Sequence, residues 1–185
     1  MILFMLLAAT TETPRATLEK ATTEVRTIVA EKAAIDTKQK KMRAITARLV
    51  NFDTIAEQTL GAEWAKMTPK QRKEFATTLQ QLVEASYLNK VSEASTVDIT
   101  YTGAEGSTVD ATAKAQGSDV HLKFTVTDAQ IRDVEIDDVS LVRNYRSQFA
   151  KVIAKSGVKE LQAKIQKKVN ELRANDATPT AATAP

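Results

Sequence analysis

The chain carries one histidine, His121, and no cysteine. Those two facts remove most catalytic chemistry. Thiolate metal sites, disulfides and a cysteine nucleophile are excluded. A nucleophile–histidine–acid relay could run only through His121. That residue alternates with Val120 and Leu122 in a period-two stretch, which predicts a place on the wet face of a strand. Four carboxylates, Asp133, Glu135, Asp137 and Asp138, crowd one stretch. Such a set could hold Ca²⁺, but it lacks the EF-hand spacing and the glycine that follows, so it reads as a solvated surface. No glycine-rich phosphate loop occurs. What remains is apolar side chains at regular spacing, which can pack a core or line a cavity. The reading is therefore a non-enzyme with no cofactor and no metal.

The elements that must position those side chains follow from periodicity. Leu18, Ala21, Val25, Ile28 and Val29 mark one face of a helix from Ala16, after a polar linker over 10–15. Asp36 with Gln39 reads as a capping box opening a second helix. Its inner face is Met42, Ile45 and Leu49, and its outer face is basic: Lys38, Lys40, Lys41, Arg43 and Arg48. Asp53 reads as the cap of a short helix that stops at Gly61. Thr68-Pro69-Lys70-Gln71 is the clearest local signal, with a capping threonine, a proline at the first helical position and a glutamine able to reach back. The helix it opens runs to about Val91, with Phe75, Leu79, Leu82, Val83 and Tyr87 inward.

From Thr96 to Ile136 the period becomes two. One face carries Val97, Ile99 and Tyr101, then Val109, Ala111 and Ala113, then Val120, Leu122, Phe124 and Val126, then Val134 and Ile136. Turns are expected at Gly103 to Gly106, at Gln116-Gly117-Ser118 and at Thr127 to Gln130. This predicts an α+β fold: a four-stranded antiparallel twisted sheet with its apolar face covered by N-terminal and C-terminal helices. A turn at Asp137-Asp138 leads into a helix with Leu141, Tyr145, Phe149, Val152 and Ile153 on one side. Gly157 breaks it, and Val158, Leu161, Ile165, Val169 and Leu172 mark the helix that follows.

The 185 residues suffice for one domain with a sizeable core. Lys and Arg number 26 against 23 Asp and Glu, a mild excess that gives weak support for an anionic partner. The charges are mixed and the aromatics sit on apolar faces, which argues against nucleic-acid binding. The opening run from Met1 to Ala9 is apolar but well short of the about 20 residues that span a bilayer. Its length fits a signal-peptide core with Leu7-Ala8-Ala9 as the cleavage site, although the basic flank is missing. It is read as a short or truncated signal segment over 1–9. A buried strand or helix turn is the alternative.

Two blocks carry a resemblance. One runs Val139-Ser140-Leu141-Val142-Arg143-Asn144-Tyr145-Arg146-Ser147-Gln148-Phe149, with Lys155-Ser156-Gly157-Val158-Lys159-Glu160-Leu161 after it. The other joins Asn51-Phe52-Asp53-Thr54-Ile55-Ala56, Leu60-Gly61-Ala62-Glu63-Trp64 and Thr68-Pro69-Lys70-Gln71-Arg72-Lys73-Glu74-Phe75. In order and separation they resemble the MlaC family of periplasmic phospholipid-binding proteins, also called the toluene-tolerance family. The resemblance spans roughly Leu18 to Lys168. It departs where Asp138 replaces a usual glycine, and where the hairpin at Thr127 to Ile131 is shorter and lacks the usual Gly and Trp.

The resemblance implies a cavity between the sheet and the helices, open at one end, that holds phospholipid acyl chains. It puts Phe52, Leu60, Trp64 and Phe75, and then Val139, Leu141, Val142, Tyr145 and Phe149, at that cavity or its wall. Leu79 and Phe124, inward on their helix and strand, join them as candidates. It further implies a monomeric periplasmic carrier, with residues 10–173 as its lipid-binding domain; the low-complexity composition from Ala174 onward reads as a disordered tail over 174–185. Its partners would be an inner-membrane ABC transporter with a tethered lipid-binding ring and an outer-membrane lipoprotein complex, and its role would be maintaining outer-membrane lipid asymmetry. Docking would use the basic residues from Lys38 to Arg48, or Lys151, Lys155 and Lys159. An adaptor domain with a solid core, or a small cone-fold enzyme, stays open on the residues alone.

Overall fold

The computed structural model describes residues 12–88, 96–115 and 118–176. The expected signal segment, the turn at Gln116-Gly117, the helix end near Val91 and the chain beyond 176 lie outside the described residues. α1 (Pro14–Ala30) begins two residues before the sequence pattern suggests. Thr13 accepts from Ala16 N through its Oγ1, and Pro14 fills the first turn. This is the threonine–proline device of Thr68-Pro69 again, so the expected linker is partly helix. α2 (Ile35–Leu49) starts after Ala34, which supplies no side-chain cap. Asp36 lies inside the first turn, where its charge favours the helix dipole, and does not cap. Gln39 instead accepts from Arg43 Nη2 at 3.1 Å.

α3 (Phe52–Leu60) is capped by Asn51, whose Oδ1 accepts from Thr54 N at 2.9 Å, with Asp53 inside the first turn. Asn51 takes the cap because the sheet holds it. Its N donates to Ile131 O at 3.0 Å and its Nδ2 to Gln130 Oε1 at 2.8 Å. α4 (Ala62–Ala65) is a single turn after Gly61. α5 (Pro69–Val83) carries the full capping box at Thr68 and Gln71. It runs into a π-helical turn, Glu84–Leu88. Tyr87, on that turn, stands 37% exposed and does not join the inward row.

The sheet has five strands, one more than expected, in the order β1-β2-β3-β4-β5. They are β1 (Ile99–Glu105), β2 (Thr108–Ala115), β3 (Ser118–Thr127), β4 (Gln130–Ile136) and β5 (Val139–Ser140), each antiparallel to its neighbour. The fifth spans only two residues, too short for an alternation to register. Asp128-Ala129 and Asp137-Asp138 make two-residue turns with positive φ at all four positions, the hand that matches strand twist. Thr102 bulges from β1 and Arg132 from β4, where the ladder skips one residue. The second bulge restores Ile131 to the apolar face opposite Val126, a core position that simple alternation misses.

α6 (Leu141–Asp176) is two helices joined at Gly157, whose φ of 77° and ψ of 172° are non-helical. Its helical backbone continues through 174–176, residues of the expected tail. Both α3 and α6 leave from the outer edge of β4. Val50 bridges Ile131 at one end of that strand, and β5 pairs with its other end. α1 lies along β1, where Arg26 donates to Val97 O and Ile99 O, each at 3.0 Å. No helix among the described residues is long and apolar enough to cross a membrane.

Candidate functional site

The apolar interior falls into separate clusters. The largest is helical, built from α3, α4, α5 and both halves of α6 around Phe75, and it contains no strand residue. Phe75 meets Phe149 edge-on, with ring centroids 5.9 Å apart, and Tyr145 stacks on Phe149 at 5.5 Å. A second cluster joins α1 to α2 around Met42. The third seals one end of the sheet's apolar face, where Leu18 packs on Val109, Val126 and Ile131.

At the other end of that face the strands are covered less well. Ala113 opposite Val120, and Leu122 opposite Ile136, are only half-buried and belong to none of the three clusters. Phe124 and Val134, beside them, touch the sheet cluster and keep partial exposure. The helical layer has a matching fringe: Tyr145, Val152 and Ile153 are half-buried at the edge of its cluster. The sheet's apolar face is thus packed at one end and left part-open at the other.

The sequence candidates divide accordingly. Leu60, Trp64, Phe75, Leu79, Tyr145 and Phe149 come together in the helical cluster. Phe124 sits apart from them in the sheet cluster. Phe52 and Val142 are buried, and Leu141 is half-buried. Val139 stands 53% exposed at the start of β5. Val120, Leu122 and Ile136 carry the inward signal of their strands, but period two cannot tell a packed position from a half-open one.

Polar positions around this framework are used structurally. Arg72 lies over the Trp64 ring at 5.4 Å and donates to Trp64 O and Ala65 O, closing the end of α4. Gly61 holds φ +56°, and a side chain there would meet the Arg146 guanidinium at 3.4 Å. A cleft of about 600 Å³ opens beside Phe52 and Trp64, with Arg72, Lys73, Gln80 and Gln130 on its walls. His121 is exposed, and its N donates to Asp137 Oδ1 at 3.0 Å. Glu135 pairs with Arg143, and Asp133 accepts from Ser140 and Val142. Among the described residues no group of three or more His, Cys, Asp or Glu is placed to hold a metal ion. Burial pushes the Tyr145 phenol up to about 12, with the nearby Tyr87 adding to the effect. Burial also raises Tyr101, partly offset by its hydrogen bond with Thr22.

A family model described as MlaC protein matches residues 19–167, from α1 into the second half of α6. The chain belongs to the MlaC family. Both sequence blocks lie within the matched span. Among solved structures, this MlaC chain is similar to the phospholipid-binding protein from Ralstonia solanacearum, determined in complex with a phospholipid. The TM-score is 0.77 at 18% identity, over 87% of this chain and 99% of that one. At that identity the likeness establishes a shared fold. No curated protein matches the chain.

Proposed function

We propose that this MlaC chain binds a phospholipid by its acyl chains, in an apolar space between the part-open end of the sheet and the helical layer. The observation that carries the reading is the separation of the sheet cluster around Val109 and Val126 from the helical cluster around Phe75. A solid-core domain would merge them, and the half-buried side chains between would be fully covered. Family membership, and the shared fold with a protein solved with a phospholipid, support the same reading. Phe52, Leu60, Trp64, Phe75, Leu79, Phe124, Val139, Leu141, Val142, Tyr145 and Phe149 remain the candidate wall. Those on the fringe, Tyr145 and Phe124, are the best placed for contact.

The protein acts as a carrier and makes or breaks no bond. Two acyl chains hold on the order of thirty methylenes, each worth roughly 0.8 kcal/mol when buried. Even at half that efficiency, release into water would cost more than about 10 kcal/mol. Spontaneous loss is therefore slow, and a membrane-bound partner must take the lipid directly at the cavity mouth. The partners are an inner-membrane ABC transporter with a tethered lipid-binding ring and an outer-membrane lipoprotein complex. The carrier shuttles between them as a periplasmic monomer whose lipid-binding domain covers 10–173.

Native mass spectrometry of protein purified without detergent tests the reading, followed by organic extraction. The expected result is a mass excess of one phospholipid, recovered in the extract. A bare polypeptide that takes up nothing from phospholipid vesicles would favour the solid-core alternative.

A further inference from the structure

Three tyrosines occur in the chain. One is satisfied: the Tyr101 hydroxyl shares a 2.7 Å hydrogen bond with Thr22 Oγ1. The other two, Tyr87 and Tyr145, have no hydrogen-bond partner among the described residues. Neither oxygen is closed off from solvent, so both hydroxyls are free to donate to a ligand that arrives beside their rings.

Their positions are specific. Tyr145 is half-buried on the first half of α6, its ring stacked on Phe149 at the fringe of the helical cluster. Tyr87 stands on the π-helical turn that ends α5, and that turn packs against α6. The two phenols are close enough for one to oppose ionisation of the other. The result is two phenols that make no hydrogen bond to the described residues, their hydroxyls open to water, on two elements packed together beside the apolar wall that Tyr145 edges.

We propose that the Tyr87 and Tyr145 hydroxyls form the polar end of the acyl-chain site and donate hydrogen bonds to the phosphate or ester oxygens of the bound phospholipid. The complementarity is one of hydrogen-bond polarity. The phosphodiester and ester groups of a phospholipid only accept, and a phenol O–H donates. The rings extend the apolar wall while the hydroxyls mark where it stops. This rests on the acyl-chain reading given above.

Tyr87→Phe, Tyr145→Phe and the double variant keep both rings and remove only the hydroxyls. Equilibrium binding is measured for two fluorescent ligands, a pyrene-labelled phospholipid and diphenylhexatriene, a hydrocarbon without oxygen. The expected result is that the double variant weakens phospholipid binding about tenfold or more, the scale of a hydrogen bond to a charged acceptor, while diphenylhexatriene binding holds. Unchanged phospholipid affinity in the double variant, with wild-type protein binding well, would overturn this proposal alone. Equal loss of both ligands would overturn it too, because the hydroxyls would then serve the fold. If wild-type protein binds no phospholipid, the carrier reading fails first and takes this one with it.

Discussion

Asp133 and Ser140 hold the start of α6 between them. The Ser140 Oγ donates to Asp133 Oδ2 at 2.5 Å and accepts from Arg143 N at 3.1 Å, the bond of a helix cap. Asp133 Oδ1 accepts from Val142 N at 3.1 Å. One carboxylate on β4 thus aims the serine and satisfies a second free N–H of the helix end. Because α6 supplies Phe149, Leu161, Ile165 and Val169 to the helical cluster, this pair fixes how that layer meets the sheet.

Removing either member therefore costs stability, and the two losses overlap. Ser140→Ala deletes the cap and Asp133→Ala takes the acceptor from the Ser140 O–H and from Val142 N, each at about 1–2 kcal/mol. The double variant should lose less than the sum, because each single change already breaks the shared bond. Urea unfolding followed by circular dichroism gives all three values. Strict additivity would show that the two residues act independently.

Gly157 tests the joint in α6. Its φ of 77° with ψ of 172° lies in a region open essentially to glycine, and nothing stands within 4 Å of where a side chain would begin. Gly157→Ala thus meets backbone strain and no steric block. The expected cost is about 1–3 kcal/mol, paired with a shift of Leu161, Ile165 and Val169 against Phe75. A fully stable variant with an unchanged near-ultraviolet spectrum would mean that the joint tolerates ordinary residues.

How much of this was legible depended on how local each device is. The box at Thr68 and Gln71 lies within four residues and reads directly. The cap at Asn51 does not, because its choice over Asp53 is made by Ile131 and Gln130, about eighty residues away. The Arg132 bulge likewise depends on a distant partner, since Arg132 Nη1 donates to Thr54 Oγ1 at 2.6 Å. Period two carries no mark of it, so Ile131 went unread as core. For the helical core, apolar spacing placed Phe75, Leu79 and Phe149 inward, and the structure brings them into one cluster. Spacing cannot report that Val120, Leu122 and Ile136 are half-open, because exposure depends on what the opposite layer leaves uncovered.

Charge pairing separates the two basic faces proposed for docking. On α2, Lys41 pairs with Glu31, Arg48 with Glu24 and Arg43 with the buried Glu84, and Lys38 donates to Val29 O. Those cations are largely engaged. From Val139 to Lys159 the chain has five basic residues and no acidic one. Lys151, Lys155 and Lys159 have no ion-pair partner among the described residues. Reversing these three to Glu should slow lipid transfer to a membrane-bound acceptor by about tenfold at low salt, with the melting temperature unchanged. Transfer kinetics across a salt series check it. An unaffected rate would exclude this face from docking.

The tyrosines set the behaviour in alkali. In the unfolded chain a phenol ionises near 10, whereas burial pushes Tyr145 up to about 12 in the fold. Between those values the unfolded chain has released its proton and the folded chain has kept it. Stability is therefore fully present below about pH 10 and falls as pH rises toward about 12. Tyr101, also raised by burial, acts in the same direction. Denaturant midpoints at pH 8, 10 and 11 should fall progressively, and Tyr145→Phe should flatten the decline. Absorbance near 295 nm should show the last phenol ionising well above the first, and that late step should vanish in Tyr145→Phe. If the variant keeps the full decline and the late step, Tyr145 is not the buried phenol that resists ionisation.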